Sequence, residues 1–271
     1  MMKLWEPLPG TPADVAIARK RLLPSVDSVV SDERLVAAVH AHLAEEHARL
    51  NKPGADPDGE RLSLVSALWA AREVAETLDL QLSFLLPLIS ERAVGQLRDE
   101  LPNRSTGLLH TMSELGLSLE FLRQGYEISC AHPFWGDRDV DVATRKDGEV
   151  RLVEVVNVQA SPARNTTSGF LPFGGVPDLT RRLVAKVSNK VKKKFRSAVE
   201  GGWTDRAWVA VDPSKDHLLY VNLAILDRHD PGWRDAVAKE LAPQFPELAG
   251  VLFYTYSAGH PVASDLRWHP C

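Results

Sequence analysis

The hydrophobic rhythm of the chain changes near its middle. Over roughly the first hundred residues apolar positions recur at helical spacing. In SDERLVAAVHAHLAEEHARL, Ser31 is placed as an N-cap and Leu35, Val39, Leu43 and Leu50 fall on one stripe. Upstream, TPAD offers Thr11 as a cap, Pro12 at the first helical position and Asp14 at the third, which predicts a helix to about Leu23. LSLVSALWAAREVAETL and QLSFLLPLISERAVGQL predict two further helices, with Pro87 kinking or breaking the second because it has no amide hydrogen to donate. NKPGADPDG reads as a turn-rich surface loop.

After LPNRSTG the pattern is that of an α/β fold. TMSELGLSLEFLRQGYEIS predicts a helix with Met112, Leu115, Leu119 and Leu122 on its apolar side, closed by Gly125 and followed by a strand from Tyr126. DVDVAT (139–144) and RLVEVVNVQ (151–159) read as strands joined by the tight turn KDGE, a hairpin with an Asp-Gly signal. A loop rich in Gly, Ser, Thr and Pro runs over 160–177. A basic helix follows from near Asp178 to Gly201-Gly202, then strands AWVAVD and LLYVNLAIL, the helix WRDAVAKEL, and GVLFYTYS as a last apolar strand. The expected organisation is an α-helical N-terminal domain over 1–106 and an α/β domain, a sheet covered by helices, over 107–271.

Composition narrows this picture. At 271 residues, 44% hydrophobic and 25% charged, the chain can bury an enzyme-sized core. The opening MMKLWEPLPG lacks the pattern of a signal peptide, and no apolar run approaches the roughly 18 residues a bilayer span requires, so a soluble cytoplasmic protein without membrane contact is expected. Cys130 and Cys271 have no metal-binding spacing and are read as reduced thiols. Net charge is −4, yet Arg181 to Arg196 carries eight positive residues and no acidic one. Such asymmetry suits a polyanion, with Arg181, Arg182, Lys186, Lys192 and Lys193 as phosphate-gripping candidates; a solvated helix face is the alternative.

The chemistry centres on the hairpin. Glu154 interrupts an apolar run whose other central members are Leu152, Val153, Val155 and Val156. A carboxylate in a buried central strand must be protonated, paired with a base or holding a metal. Strict alternation puts Asp139 and Asp141 on one side of their strand, where Asp141 can meet Glu154 across the hairpin. Two ionised carboxylates that close repel unless a cation lies between them, and a hard divalent ion such as Mg²⁺ suits that oxygen pair. The structural alternative is a turn-end Asp141 and a Glu154 paired with a lysine of the basic helix. Elsewhere, His40 and His47 in HAHLAEEH share a helix face without metalloprotease spacing and read as surface histidines. HPFW (132–135) is expected on a loop near Asp141, with His132 an acid or base or simply a loop histidine. GFLPFGGV lacks the lysine of a phosphate-binding loop; its Phe170 and Phe173 either pack on the protein or stack on a base.

This order of helix with an acidic residue, short strand, strand with Asp141, strand with Glu154 and lysine-rich helix resembles the PD-(D/E)XK nuclease superfamily, the restriction-endonuclease-like fold, over roughly 107–271. The resemblance implies that Asp141 and Glu154 ligate Mg²⁺ or Mn²⁺, with Glu114 supporting a ligand or a water. It implies a nuclease acting on nucleic acid, DNA favoured over RNA, with the N-terminal domain giving substrate recognition or homodimer contacts. One departure stands out: the lysine expected two residues after the glutamate is Val156 here. Lys194, then Lys190, are the candidates to supply the missing ammonium from the basic helix. Without a substitute, the resemblance implies a non-cleaving protein that binds nucleic acid or a protein partner.

Overall fold

The computed structural model describes residues 20–50, 68, 72–103, 108–135, 138–157, 181, 184–185, 187–189, 192, 207–212, 227–228, 231–246 and 248–271. The chain divides into two compact units, Met1–Leu119 with Ala258–Val262, and Glu120–Ser257 with Ala263–Cys271. Helix α1 (Pro24–Val29), α2 (Asp32–Leu50), α3 (Arg72–Leu85), α4 (Glu91–Asn103) and most of α5 (Leu108–Arg123) belong to the first.

In this helical unit Ser31 accepts the Arg34 amide at 3.5 Å, as its place before α2 suggested. Ala38 is buried and Leu35 half-buried; the side chains of Val39, Leu43 and Leu50 lie outside the described residues, as do Thr11, Pro12 and Asp14. The short α1 has no counterpart in the sequence reading. It starts from Leu23, which has no side-chain acceptor, and Asp79 of α3 caps it from a distance, taking the amides of Ser25 at 2.7 Å and Val26 at 2.9 Å. The expected break between Leu78 and Gln81 does not occur: α3 runs through both, because Ala75, Leu78, Leu82 and Leu85 keep one buried stripe. The chain turns instead at residues 86–89, around Pro87, and Ser90 opens α4 by accepting the Ala93 amide at 3.2 Å. Gln81, fully buried, donates to the carbonyls of Met112 (3.0 Å) and Pro261 (2.9 Å). His40 is exposed, as a surface histidine should be.

The second unit is built on a six-stranded mixed sheet in sequential order: β1 (Glu127–Trp135), β2 (Arg138–Lys146), β3 (Glu149–Asn157), β4 (Ala207–Asp212), β5 (Leu248–Thr255) and β6 (Ser264–Pro270). The first three strands form an antiparallel meander, β3, β4 and β5 are parallel, and β6 returns antiparallel. The protein is thus α/β, with helices flanking a mixed sheet. Helix α5 ends in a Schellman turn, in which Gly125 at φ 81° lets Tyr126 reach the Phe121 carbonyl (3.0 Å) and its own amide the Leu122 carbonyl (2.9 Å). Asp147 and Gly148, at φ 52° and 81°, make the two-residue hairpin turn that the Asp-Gly pair announced.

Two corrections concern strand extent. HPFW lies within β1, where the His132 backbone pairs with Val140, rather than on a connecting loop. GVLFYTYS, expected to be the last strand, is followed by one more: LRWHP belongs to the edge strand β6, half exposed because only one of its faces meets the protein.

One face of the sheet presents Leu152, Val156, Ala207, Val209, Val211, Val251 and Phe253. They pack with Val184 and Val187 of the basic segment, whose described residues are helical, and with Trp233, Val237 and Leu241 of α6 (Trp233–Leu241). On the other face the Trp208 ring crosses Gly250 to meet Trp268 edge-on at 4.6 Å, and Arg151 lies 4.6 Å over Trp268. No helix among the described residues is long and apolar enough to cross a membrane. Neither cysteine is in a disulfide.

Candidate functional site

Glu154 is fully buried. Its in-register neighbour on β4 is Val209, and its neighbours along β3, Leu152 and Val156, pair with Ala207 and Val211. Glu154 therefore stands on the face that carries the apolar cluster and lies beneath the basic helix and α6. Placing an ionised carboxylate there without compensation costs several kcal/mol, so this residue is the chemical exception of the core.

Asp141 meets the same point of β3 from the neighbouring strand. Regular β2–β3 pairing runs from Lys146–Glu149 to Val142–Val153, and one further step of that register sets Asp141 opposite Glu154. There the ladder changes. The Val155 amide, which lies in the plane of the sheet, donates to the Asp141 carboxylate at 2.7 Å instead of to a β2 carbonyl. Asp141 thus directs a carboxylate oxygen into the seam between the strands, onto the peptide that joins Glu154 to Val155. Val142 pairs with Val153, whereas Val140 packs in the same apolar cluster as Val156.

The expected motif lysine is absent in structure as in sequence: Val156 is buried in the apolar cluster. On the basic helix Arg181, Ala185, Asn189 and Lys192 are exposed while Val184, Val187 and Ser188 are buried, the division a helix makes between solvent and core. The Lys192 ammonium lies 6.0 Å from the centre of the Phe245 ring. Lys190 and Lys194, together with Arg182, Lys186 and Lys193, lie outside the described residues, as do the segment 158–180 with Phe170 and Phe173 and the predicted strand LLYVNLAIL. Glu114, in the helical unit, pairs with His110 of the preceding turn at 2.8 Å.

Two further buried carboxylates escaped the sequence reading. Asp212, fully buried, closes β4 level with Asn157; since Val209 and Val211 share the face of Glu154, alternation assigns Asp212 to the opposite face. The signal was an acidic residue ending an apolar run, which reads equally well as an ordinary strand end. Glu120, in the last turn of α5, is held by Arg123 (two bonds of 2.6 Å) and Gln124 (2.8 Å). The Arg123 guanidinium keeps its carboxyl below the usual range, against the opposing effect of burial. Glu120 is a structural clamp at the helix end.

No group of three or more His, Cys, Asp or Glu side chains among the described residues is arranged to hold a metal ion. Mg²⁺ asks less of a protein than that: one or two carboxylates, with water and substrate phosphate completing the shell, so Asp141 and Glu154 match its demand in donor type and number. Comparison of the chain with protein-family models, with curated proteins and with solved structures finds no match.

Proposed function

We propose that the chain is a Mg²⁺- or Mn²⁺-dependent nuclease of restriction-endonuclease-like fold, hydrolysing phosphodiester bonds in nucleic acid, DNA rather than RNA. The observation that carries this reading is the approach of two carboxylates to one peptide: Glu154, buried, and Asp141, bonded to the amide that follows Glu154. The element order agrees with it, since a helix, an antiparallel meander and a crossover through a basic helix to parallel strands are what the resemblance implies. A bound divalent ion would supply an acidified water and offset charge gathering on the phosphate. Asp141 and Glu154 would hold that ion. Arg181 and Lys192, exposed on the basic helix, would grip the backbone on either side of the bond to be cut.

Supercoiled plasmid and single-stranded RNA, incubated with the protein in Mg²⁺ or Mn²⁺ beside Glu154→Ala, give the test. Nicking by the wild type that is lost in the variant and in EDTA supports the proposal; no cleavage of either substrate by the wild type sinks it.

One observation favours a second reading. Val156 is packed into the core where the lysine should stand, so the inherited cleavage machinery is incomplete at that position. Salt-sensitive DNA binding without cleavage in either metal would identify a binding protein of the same fold.

A further inference from the structure

Helix α3 is apolar on two sides. Ala75, Leu78, Leu82 and Leu85 form its buried stripe, yet Leu80 and Phe84, on the side away from that stripe, are 43% and 60% exposed. The chain keeps a helical course for a little longer, since the Leu85 carbonyl accepts the amides of Leu88 (2.8 Å) and Ile89 (3.0 Å), and Leu88 is 52% exposed. Leu80, Phe84 and Leu88 thus follow one another at a spacing of four, each facing solvent. Single exposed apolar residues are ordinary; three large ones in a row, on a helix whose other side already supplies the core, form a contact surface.

The row is symmetric about its middle. One leucine stands four residues before Phe84 and another four after it. The charges beyond them are opposite: exposed Glu76 precedes Leu80 by four, and exposed Arg92 follows Leu88 by four. Glu91, next to Arg92, suits the N-terminus of α4 that it occupies. An antiparallel twofold pairing centred on Phe84 sets that ring against its own copy and each Leu80 against a Leu88. It also turns the acidic end of each row towards the basic end of the other. A parallel pairing would set acid beside acid. The surface is therefore complementary to itself in shape of pattern and in charge.

We propose that this row is the contact surface for a second copy of the chain, joined about a twofold axis beside Phe84. The inference does not depend on the nuclease reading. Three large side chains per copy place the contact at the small end of specific interfaces, so the pairing is concentration-dependent, with dissociation in the micromolar range. Phe84, at its centre, carries the largest share.

Sedimentation velocity of the full chain, from about 1 to about 300 μM, tests this. The mass should rise from 29.9 kDa towards twice that value. Phe84→Glu should keep the wild-type urea midpoint, since the side chain is exposed, and remain a monomer at every concentration. Leu88→Lys should weaken the dimer about tenfold or more, and decides by the same criteria if Phe84→Glu does not fold. Glu76→Arg should weaken association about threefold, and adding Arg92→Glu to it should restore the wild-type value. A wild type that stays at 29.9 kDa throughout overturns the proposal; if that monomer co-sediments with phosphatidylcholine vesicles and Phe84→Glu does not, the occupant is a lipid surface. Association that survives both Phe84→Glu and Leu88→Lys overturns it equally, because the copies then meet elsewhere.

Discussion

The amide of Val155 gives its hydrogen to the carboxylate of Asp141 at 2.7 Å, across a seam where the β2–β3 ladder has stopped pairing through its backbones. Asp141 therefore has a structural task, which must be separated from any catalytic one. Asp141→Asn keeps an oxygen acceptor for the amide and loses the charge, whereas Asp141→Ala loses both. Asn should stay within about 1 kcal/mol of wild-type stability, while Ala should cost about 1–3 kcal/mol by stranding the amide; both should abolish metal-dependent nicking. Urea denaturation beside the plasmid assay checks this, and full cleavage by Asp141→Asn would remove the carboxylate from the mechanism.

Charge reversal at Arg181 and Lys192 probes the exposed side of the basic helix. Arg181→Glu with Lys192→Glu should weaken binding to duplex DNA, and the slope of log affinity against log salt should become shallower by roughly one unit for each phosphate that is no longer neutralised. Stability should change by no more than about 0.5 kcal/mol, since both residues are exposed. Binding that is insensitive to the double reversal would leave this face as solvated surface.

Glu120 makes the acid limb of stability predictable. Its folded carboxyl titrates below the ordinary value of 4.5, chiefly through the Arg123 hydrogen bond. The stabilisation is then complete above the unfolded value and is lost as pH falls through the lower, folded one. Glu120→Gln should lower the urea midpoint at pH 7, and the gap to the wild type should close as the solution is acidified below about 4.5. A gap that stays constant from pH 7 to pH 3 would show that the clamp does not depend on charge.

Gly250 has a steric role. A Cβ there would sit 2.5 Å from the Trp208 ring and 2.5 Å from the His269 carbonyl, and the second of these is backbone. Gly250→Ala should destabilise by about 1–3 kcal/mol and alter the near-ultraviolet signal of the Trp208–Trp268 pair. An unchanged midpoint and spectrum would mean that the β5–β6 pairing has slack to absorb a methyl group.

What could be read from residues alone follows the range of the forces involved. The Asp147-Gly148 turn, the Gly125 helix stop, strand AWVAVD and helix WRDAVAKEL are set by backbone preference and by periodicity over a few neighbours, and each lies where the pattern put it. Glu154 was conspicuous because a charge inside an apolar run is a local contradiction. Features set by distant partners were not legible. The remote cap that Asp79 gives α1, the continuity of α3 past Gln81, the recruitment of LRWHP as an edge strand and the turning of Asp141 into the seam all depend on surfaces that meet only after folding. Asp212 and Ser188 were invisible for the same reason: a strand-end aspartate and a helical serine are ordinary until their burial is known.

The position of β3 between an antiparallel and a parallel neighbour also gives the site a history. The β2–β3 hairpin closes over a two-residue turn, an event on the microsecond scale, whereas Leu152 must wait for Ala207, more than fifty positions later, before the other edge is sealed. During that interval Glu154 is hydrated. Burying that carboxylate opposes the closing of the second edge, so Glu154→Gln, which takes no charge into the interior, should speed the slow phase of folding.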